Sequence, residues 1–360
     1  MDHRGKPVET DPDRPGQVAT GKRRPASQAD VASLAGVSSQ TVSRVANGRS
    51  NVEPETREKV LSAMRILGYQ RNSAARALTL GRFHVLGVVM FDLSAHGNAR
   101  TLAAISRAAQ AAGYSVNVVC AEEQTEDAVQ QAVRQLTDQA VDGLVVIEAQ
   151  ILDRPGFSVS TGVPVVVADG DPEQRFPSVD TDQAAGASAA TQHLLDHGHR
   201  TVWHVGGPQD SYAARRRAAA WHATLKAAGA PVPALELGDW TAASGYRIGK
   251  ALAARPEVTA VFAANDHMAL GVMLALGEAG RRVPQDVSVV GFDDVPESAY
   301  FGPPLSTVRQ DFEEVGRQCV ALLLNQIDSQ GGVRTNQVIT VSPEFVVRAS
   351  SGPRPGRKKA

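Results

Sequence analysis

Three polar residues close apolar runs in this chain: Asp169 ends PVVVAD, Asn265 ends AVFAAN and Asp293 ends VSVVGFD. Two carboxylates and an amide can accept from, and donate to, several hydroxyl groups at once. Arg215 and Arg217 follow the TVWHVGG run and add guanidinium donors, and Trp240 offers a flat face for the apolar side of a sugar ring. This set suits recognition of a small polyhydroxylated molecule. The adjacent pair Asp293-Asp294 also permits acid–base work on a glycosidic bond, which keeps a glycosidase reading open.

Other chemistries find less support. There is no G-x-G-x-x-G after a strand, no H-E-x-x-H and no G-x-S-x-G. GYRIGKA (245–251) is like a phosphate loop, but its spacing is wrong and Ala251 stands where a Mg²⁺-binding Ser or Thr is needed. His193, His197 and His199 have metal-like spacing at a helix end, yet no Cys or acidic residue completes a set, so no metal and no cofactor are expected.

A second polar constellation lies near the start. DVASLAGVSSQTVSRVANG (30–48) reads as two short helices around a turn at Gly36, with Ser38 capping the second. Val42 and Val45 point inward at i, i+3 spacing. The opposite face shows Ser39, Gln40, Thr41, Ser43, Arg44 and Asn47 without a carboxylate, and Gly48 is the expected stop. An acid-free polar second helix is the form that enters a DNA major groove. Its rival is an ordinary helical hairpin.

Charge supports the first reading. Residues 1–82 hold 14 Lys/Arg against 8 Asp/Glu, whereas residues 83–360 hold 23 against 30, so a net charge of −1 hides a basic module on an acidic body. Residues 1–26 are rich in Pro, Arg and Asp, lack the apolar core of a signal peptide, and read as a disordered arm in which Lys22-Arg23-Arg24 could touch phosphate. No run reaches membrane-spanning length. Cys120 and Cys319 sit in apolar runs and are expected to be buried free thiols.

The elements that must position these residues follow in order. Pro54 opens a third helix with Val60, Leu61, Met64 and Leu67 as its stripe, closed by Gly68. NSAARALTLG (72–81) is a good helix former too short to stand alone. From Val85 onward, near-continuous β-branched runs alternate with amphipathic helices, the signature of parallel sheets covered on both faces. About 260 residues exceed one open sheet, which predicts two doubly wound subdomains around a cleft, with strand ends facing it. The last helix (312–328) and strands near 336–341 and 344–348 are expected to complete both halves.

These residues carry a resemblance. The chain resembles the LacI/GalR family of bacterial transcription regulators over residues 27–348. The 30–48 stretch has the family form D-V-A-x-x-A-G-V-S-x-x-T-V-S-R-V-x-N, and ETREKV, LGY, HLLDHGHR, GGP, ANDHMALG, DVSVVGFDD and PPLSTVRQDF follow at family spacing. The resemblance implies a multidomain protein: an all-α helix-turn-helix domain plus an α/β, periplasmic-binding-protein-like core. It implies DNA contacts by Ser38, Ser39, Gln40, Thr41, Ser43, Arg44 and Asn47. It also implies a hinge helix carrying Asn72, Ala75 and Leu78, the last wedged into the minor groove. Effector contacts would be Asp169, Arg217, Trp240, Asn265, Asp293 and Phe312. The chain departs at Ser39, a position where family members often differ. It departs also at Ala95, Gly97, Asn98 and Thr101, where mostly apolar residues are implied, and at Ala213, where a serine contact is implied.

The expected domain plan is an arm (1–26), a DNA-binding domain (27–71), a hinge helix (72–82), a core (83–348) and a disordered tail (349–360). Within the core, the first subdomain would hold about 83–181 plus 312–341 and the second about 182–308 plus 342–348. The implied function is a cytoplasmic, nucleoid-associated homodimeric repressor of carbohydrate-utilisation genes, released from a palindromic double-stranded DNA operator by a galactoside-like sugar. No enzyme activity and no membrane partner are implied. The rivals are a co-repressor or non-sugar ligand within the family, and a sugar-binding transport protein outside it.

Overall fold

The computed structural model describes residues 24, 26–46, 51–69, 81–121, 125–147, 161–170, 176–329 and 337–356. The chain divides into two units, residues 1–80 and 81–360.

The first unit is three helices: α1 (Gln28–Ala35), α2 (Ser39–Ala46) and α3 (Pro54–Leu67). Ser27 and Asp30 form a reciprocal capping box at the start of α1. Gly36, at φ 68°, makes the turn that a side chain would strain, and the Val37 amide donates back to the Ala32 carbonyl. The Ser38 hydroxyl accepts from the Thr41 amide at 3.1 Å and so starts α2. Val31, Val42, Val45, Val60 and Ala63 close the small core. The expected stop at Gly48 and the hinge positions 72–80 lie outside the described residues.

The second unit opens with β1 (Val85–Met90), α4 (His96–Ala111), β2 (Ser115–Cys120), α5 (Glu126–Asp138), β3 (Gly143–Ile147), β4 (Val165–Ala168) and β5 (Ser178–Thr181). Then come α6 (Gln183–Asp196), β6 (Trp203–Gly206), α7 (Tyr212–Ala227), β7 (Glu236–Leu237), α8 (Ala242–Ala253), β8 (Ala260–Ala263), α9 (Asp266–Glu278) and β9 (Ser288–Asp293). A 3₁₀ turn (Pro296–Tyr300), β10 (Ser306–Arg309), α10 (Phe312–Asp328), β11 (Val338–Val341) and β12 (Glu344–Val346) complete it. The strands make two six-stranded sheets, ordered β11-β5-β4-β3-β1-β2 and β12-β10-β9-β8-β6-β7. All pairings are parallel except β10 with β12. The chain crosses between the halves after β5, after β10 and after β11, and α10 packs on the first sheet through Val315, Cys319 and Leu323.

Helices cover both faces of each sheet, which is why strands such as Gly143–Ile147, Val165–Ala168 and Ala260–Ala263 are buried throughout. The glycines of GYRIGKA serve packing. Gly245 and Gly249 lie on one face of α8 against Met268, Val272 and Ala275 of α9, where a Cβ would collide.

Two expectations are corrected. Cys120 is exposed, because β2 is an edge strand with an open side, while Cys319 is buried. The segment 349–354 is not a disordered tail. Ser350 is fully buried, the Val289 amide donates to its carbonyl, and its hydroxyl donates to the Val289 carbonyl; the Gly352 amide donates to Ser288 Oγ and the Arg354 amide to the His197 carbonyl. A run that looks polar in sequence thus completes the second half's hydrogen bonding.

Candidate functional site

Between the halves lies a cavity of about 360 Å³. Asp169, Arg217, Trp240, Asn265, Asp293 and Phe312 all line it. Four of them are delivered by element ends. Asp169 and Asp293 sit at the carboxyl ends of β4 and β9, Asn265 caps α9 after β8, and Phe312 opens α10. Trp240 ends the loop before α8, and Arg217 projects from the second turn of α7.

The buried end is a connected polar chain. Arg217 Nε donates to Gln183 Oε1 at 2.8 Å, Gln183 Nε2 to Gln310 Oε1 at 3.2 Å, and Gln310 Nε2 to Asp293 Oδ1 at 2.7 Å. Arg217 also donates to the Ala264 carbonyl, lies 3.7 Å from Asp293 Oδ1, and stacks 3.7 Å from the Phe292 ring centre. Desolvation pushes the Asp169 and Asp293 carboxyls above the ordinary carboxylate range, and the Arg217 charge holds both back. Each is an acceptor that gains from a hydroxyl donor. Asn265 accepts from the Met268 amide at 2.9 Å and donates to the Trp240 carbonyl at 3.0 Å, so the cap of α9 also fixes the tryptophan. Gly207 lies under the indole, where any Cβ would collide.

Backbone strain marks the same place. Asp169 (φ 57°), Trp240 (φ 71°) and Asp293 (φ 108°) are three of the six non-glycine residues with positive φ among those described. Such conformations cost of the order of 1–3 kcal/mol each and gather at ligand sites.

The sequence-derived set was incomplete. Gln183, Ser211, Gln310, Asp92, His96 and His267 also line the cavity. Of the positions that depart from the family pattern, Ala95, Gly97, Asn98 and Ala213 line it, while Thr101 is buried outside the lining. Arg215 does not line it; its guanidinium sits over the Tyr212 ring. Its neighbour Arg216 pairs with Asp180 of the first half and donates to the Gly170 carbonyl at 3.2 Å, tying the halves beside the cavity. Asp294 turns away from the cavity to ion pairs with Arg309 and Arg348, each at 2.7 Å. Behind the site, the buried Asp266 accepts from the Val295 amide, Ser298 Oγ and Thr307 Oγ1, and desolvation pushes its pKa up to about 7.

The three histidines of the HLLDHGH segment are absorbed by packing. His193 bonds Ser351, His197 donates to the His193 carbonyl, and His199 contacts Thr259, Ser288 and the Gly352 carbonyl. No cluster of three metal-ligating side chains occurs among the described residues.

In the first unit, Ser39, Gln40 and Arg44 are exposed on α2, with Thr41 and Ser43 half-buried beside them. Ser38 is committed to the cap, through its contacts with the Thr41 amide and hydroxyl. Asn47, Asn72, Ala75 and Leu78 lie outside the described residues.

Two family models match: residues 29–72 fit bacterial regulatory proteins of the lacI family, and residues 191–351 fit a periplasmic binding protein-like domain. The lactose operon repressor of Escherichia coli (strain K12) is 38% identical over 323 residues, covering 89% of this chain and 89% of that one. This chain belongs to the lacI family. Its fold is that of the family: a helix-turn-helix unit and two parallel-sheet α/β subdomains. Among solved lacI-family structures, a lac repressor dimer bound to operator and the anti-inducer ONPF superposes with a TM-score of 0.81 at 36% identity, covering 91% of this chain and all of that one. A complex of the transcriptional regulator CelR with cellobiose gives a TM-score of 0.67 at 31% identity, covering 90% and 99%. Among the described residues, no helix of this family member is long and apolar enough to cross a membrane.

Proposed function

We propose that this protein is a sugar-controlled repressor of carbohydrate-utilisation genes that acts on the chromosome in the cytoplasm. The observation that carries the reading is the convergence of Asp169, Arg217, Asn265 and Asp293 with the rings of Trp240 and Phe312 on one cavity. A ring rich in hydroxyls satisfies carboxylates and amide around its edge, while its apolar faces meet the aromatics. The solved relatives carry an operator with ONPF in one case and cellobiose in the other, which supports both halves of the reading.

Ser39 and Gln40 are the base-reading positions of α2, and Thr41, Ser43, Arg44 and Asn47 hold phosphate and groove edges. A homodimer places two such helices on a two-fold operator. Leu270 and Leu274, four residues apart on α9, expose apolar surface, as does Tyr300 in the nearby 3₁₀ turn, at 87% exposure. A second copy of the chain would cover it. The hinge carries Asn72, Ala75 and Leu78 to the operator centre, and sugar binding shifts the two halves of the core so that the hinges separate and DNA is released.

The reading is of a cleft that binds without turnover, which the likeness to transcriptional repressors supports. Asp293 faces the cavity and Asp294 is held outside it by two arginines, so the adjacent carboxylates do not flank one ligand. A thermal-shift screen of mono- and disaccharides, followed by operator binding with each hit, tests the proposal. A galactoside-like hit that lowers operator affinity is expected. Hits that leave operator binding unchanged, or turnover of chromogenic glycosides, overturn it.

A further inference from the structure

Charge is unevenly spread at the DNA-binding end of the chain. Residues 14–52 carry six basic residues, Arg14, Lys22, Arg23, Arg24, Arg44 and Arg49, against one acid, Asp30. Residues 1–13 carry two basic residues against four acids, and residues 53–69 carry three of each. The basic stretch therefore contains α1 and α2 and leaves α3 balanced. Arg44 belongs to the reading face of α2. The Lys22-Arg23-Arg24 cluster does not. It precedes α1, and it precedes residues 29–72, the stretch that the lacI family model matches.

The acid is already committed. Asp30 Oδ2 accepts from the Ser27 amide and from Ser27 Oγ, each at 2.7 Å, as one side of the capping box. Those bonds hold the Asp30 carboxyl below the ordinary carboxylate range, and the Arg24 charge adds to the effect, which puts Arg24 beside the first turn of α1. Arg24 is exposed and stands three residues ahead of the cap, outside any helix or strand. Lys22 and Arg23 lie outside the described residues. A residue before proline favours extended backbone, as Arg24 does before Pro25, and Ser27 is extended at φ −96° and ψ 168°. An extended chain spans about 3.5 Å per residue, so the three cations have a reach of about 10–18 Å from the cap.

The helix-turn-helix motif says where that reach leads. Its second helix enters the major groove and its first crosses the sugar–phosphate backbone. A segment that runs into α1 therefore starts at the backbone, and its reach exceeds the minor-groove width of about 6 Å. The minor groove at the operator centre is the one assigned above to the hinge, which leaves the outer one. Resting on the reading of α2 as the DNA-reading helix, we propose that Lys22, Arg23 and Arg24 form a second DNA contact, an arm that binds the phosphates bordering the minor groove outside each half-site. Phosphates carry the same charge in every sequence, so the arm adds affinity and salt dependence and lengthens the footprint, while the choice of operator stays with α2.

The test uses the full chain and a duplex that it selects from a random-sequence DNA library. The selected core is remade with short flanks of about two base pairs or long flanks of about ten, one helical turn. Affinity for each is measured between about 50 and 200 mM salt. The native chain is expected to bind the long-flank duplex at least about tenfold tighter than the short one. A variant combining Lys22→Ala, Arg23→Ala and Arg24→Ala is expected to bind both alike, with its affinity for the short duplex within about twofold of native and its melting temperature unchanged, which shows that it folds. Losing three cations from each subunit of the dimer removes about six phosphate contacts, so the slope of log affinity against log salt falls by about 5 on the long duplex. A charge-keeping variant, Arg23→Lys with Arg24→Lys, is expected to retain the native slope. Flank length without effect on the native chain, or an alanine variant with the native slope, overturns the arm and leaves the reading of α2 standing. A library from which the native chain selects no duplex overturns the DNA-binding reading itself.

Discussion

The first half of the core is built from strands such as Gly143–Ile147 and Val165–Ala168, whose every residue is buried among valines and leucines. The second half has the same parallel topology but buries His199, His204, Asp266, Asp293 and Arg217 within or beside its sheet. The difference separates two jobs. The second half supplies the charged grip on a ligand, and its polar groups fix one another through Gln183, Gln310, Ser298 and Thr307. The first half, whose one buried charge among the described residues is Asp180, presents Asp169, His96 and Phe312. Arg216, reaching from α7 to Asp180, links the two.

If that division holds, damage should be lopsided. Removing Arg217 has the largest expected effect. Arg217→Ala leaves Asp293 buried beside an empty space, at a cost of roughly 3–5 kcal/mol in stability and with loss of sugar binding. Urea unfolding and calorimetry measure both, and amide exchange should place the loss in the second half; a loss spread evenly over the halves would break the comparison.

Acid should act on the same half. Desolvation pulls the His204 pKa down to about 4 from 6.5, so the folded state binds fewer protons than the unfolded state between those values. The stability is therefore complete above pH 6.5 and is lost as pH falls towards 4, by about 3 kcal/mol from His204 alone. His193 and His199, also pulled down to about 4, act in the same direction. Asp266 opposes them. Its folded pKa is about 7, so its contribution declines as pH rises from about 4 to 7. Thermal melts across pH 4–7 of the native chain and His204→Phe check this; an acid response that the variant leaves unchanged would remove His204 from the account.

Breaking the link comes next. Arg216→Ala leaves the nearly buried Asp180 unpaired and should cost about 1–3 kcal/mol, with exchange rising along β5 and α7 together. A smaller, local effect is expected for Gly207→Ala. The added methyl displaces the Trp240 ring, weakening sugar binding by about tenfold with the melting temperature nearly unchanged.

Legibility in sequence followed the range of the interactions. The 30–48 stretch could be read because its turn glycine, its cap and its i, i+3 valines are local. Asp169, Asn265 and Asp293 could be read because each ends a β-branched run. β5 and β10 escaped notice, since SVDT and STVR are half polar; their polar atoms meet partners far along the chain, Asp180 with Arg216 and Thr307 with Asp266. His96 and His267 could not be paired from sequence, because each meets the other from the opposite half. The terminal SSG failed for the same reason: Ser350 is ordered by Val289 and Ser306, more than forty residues away.

The proposed function requires the cleft and the DNA-reading helices to be coupled. It is tested most directly by measuring operator affinity with and without the tightest sugar from the screen, and sugar affinity with and without operator. The account predicts that sugar weakens operator binding, and that operator weakens sugar binding by the same factor. Operator affinity that does not change at saturating sugar would contradict it.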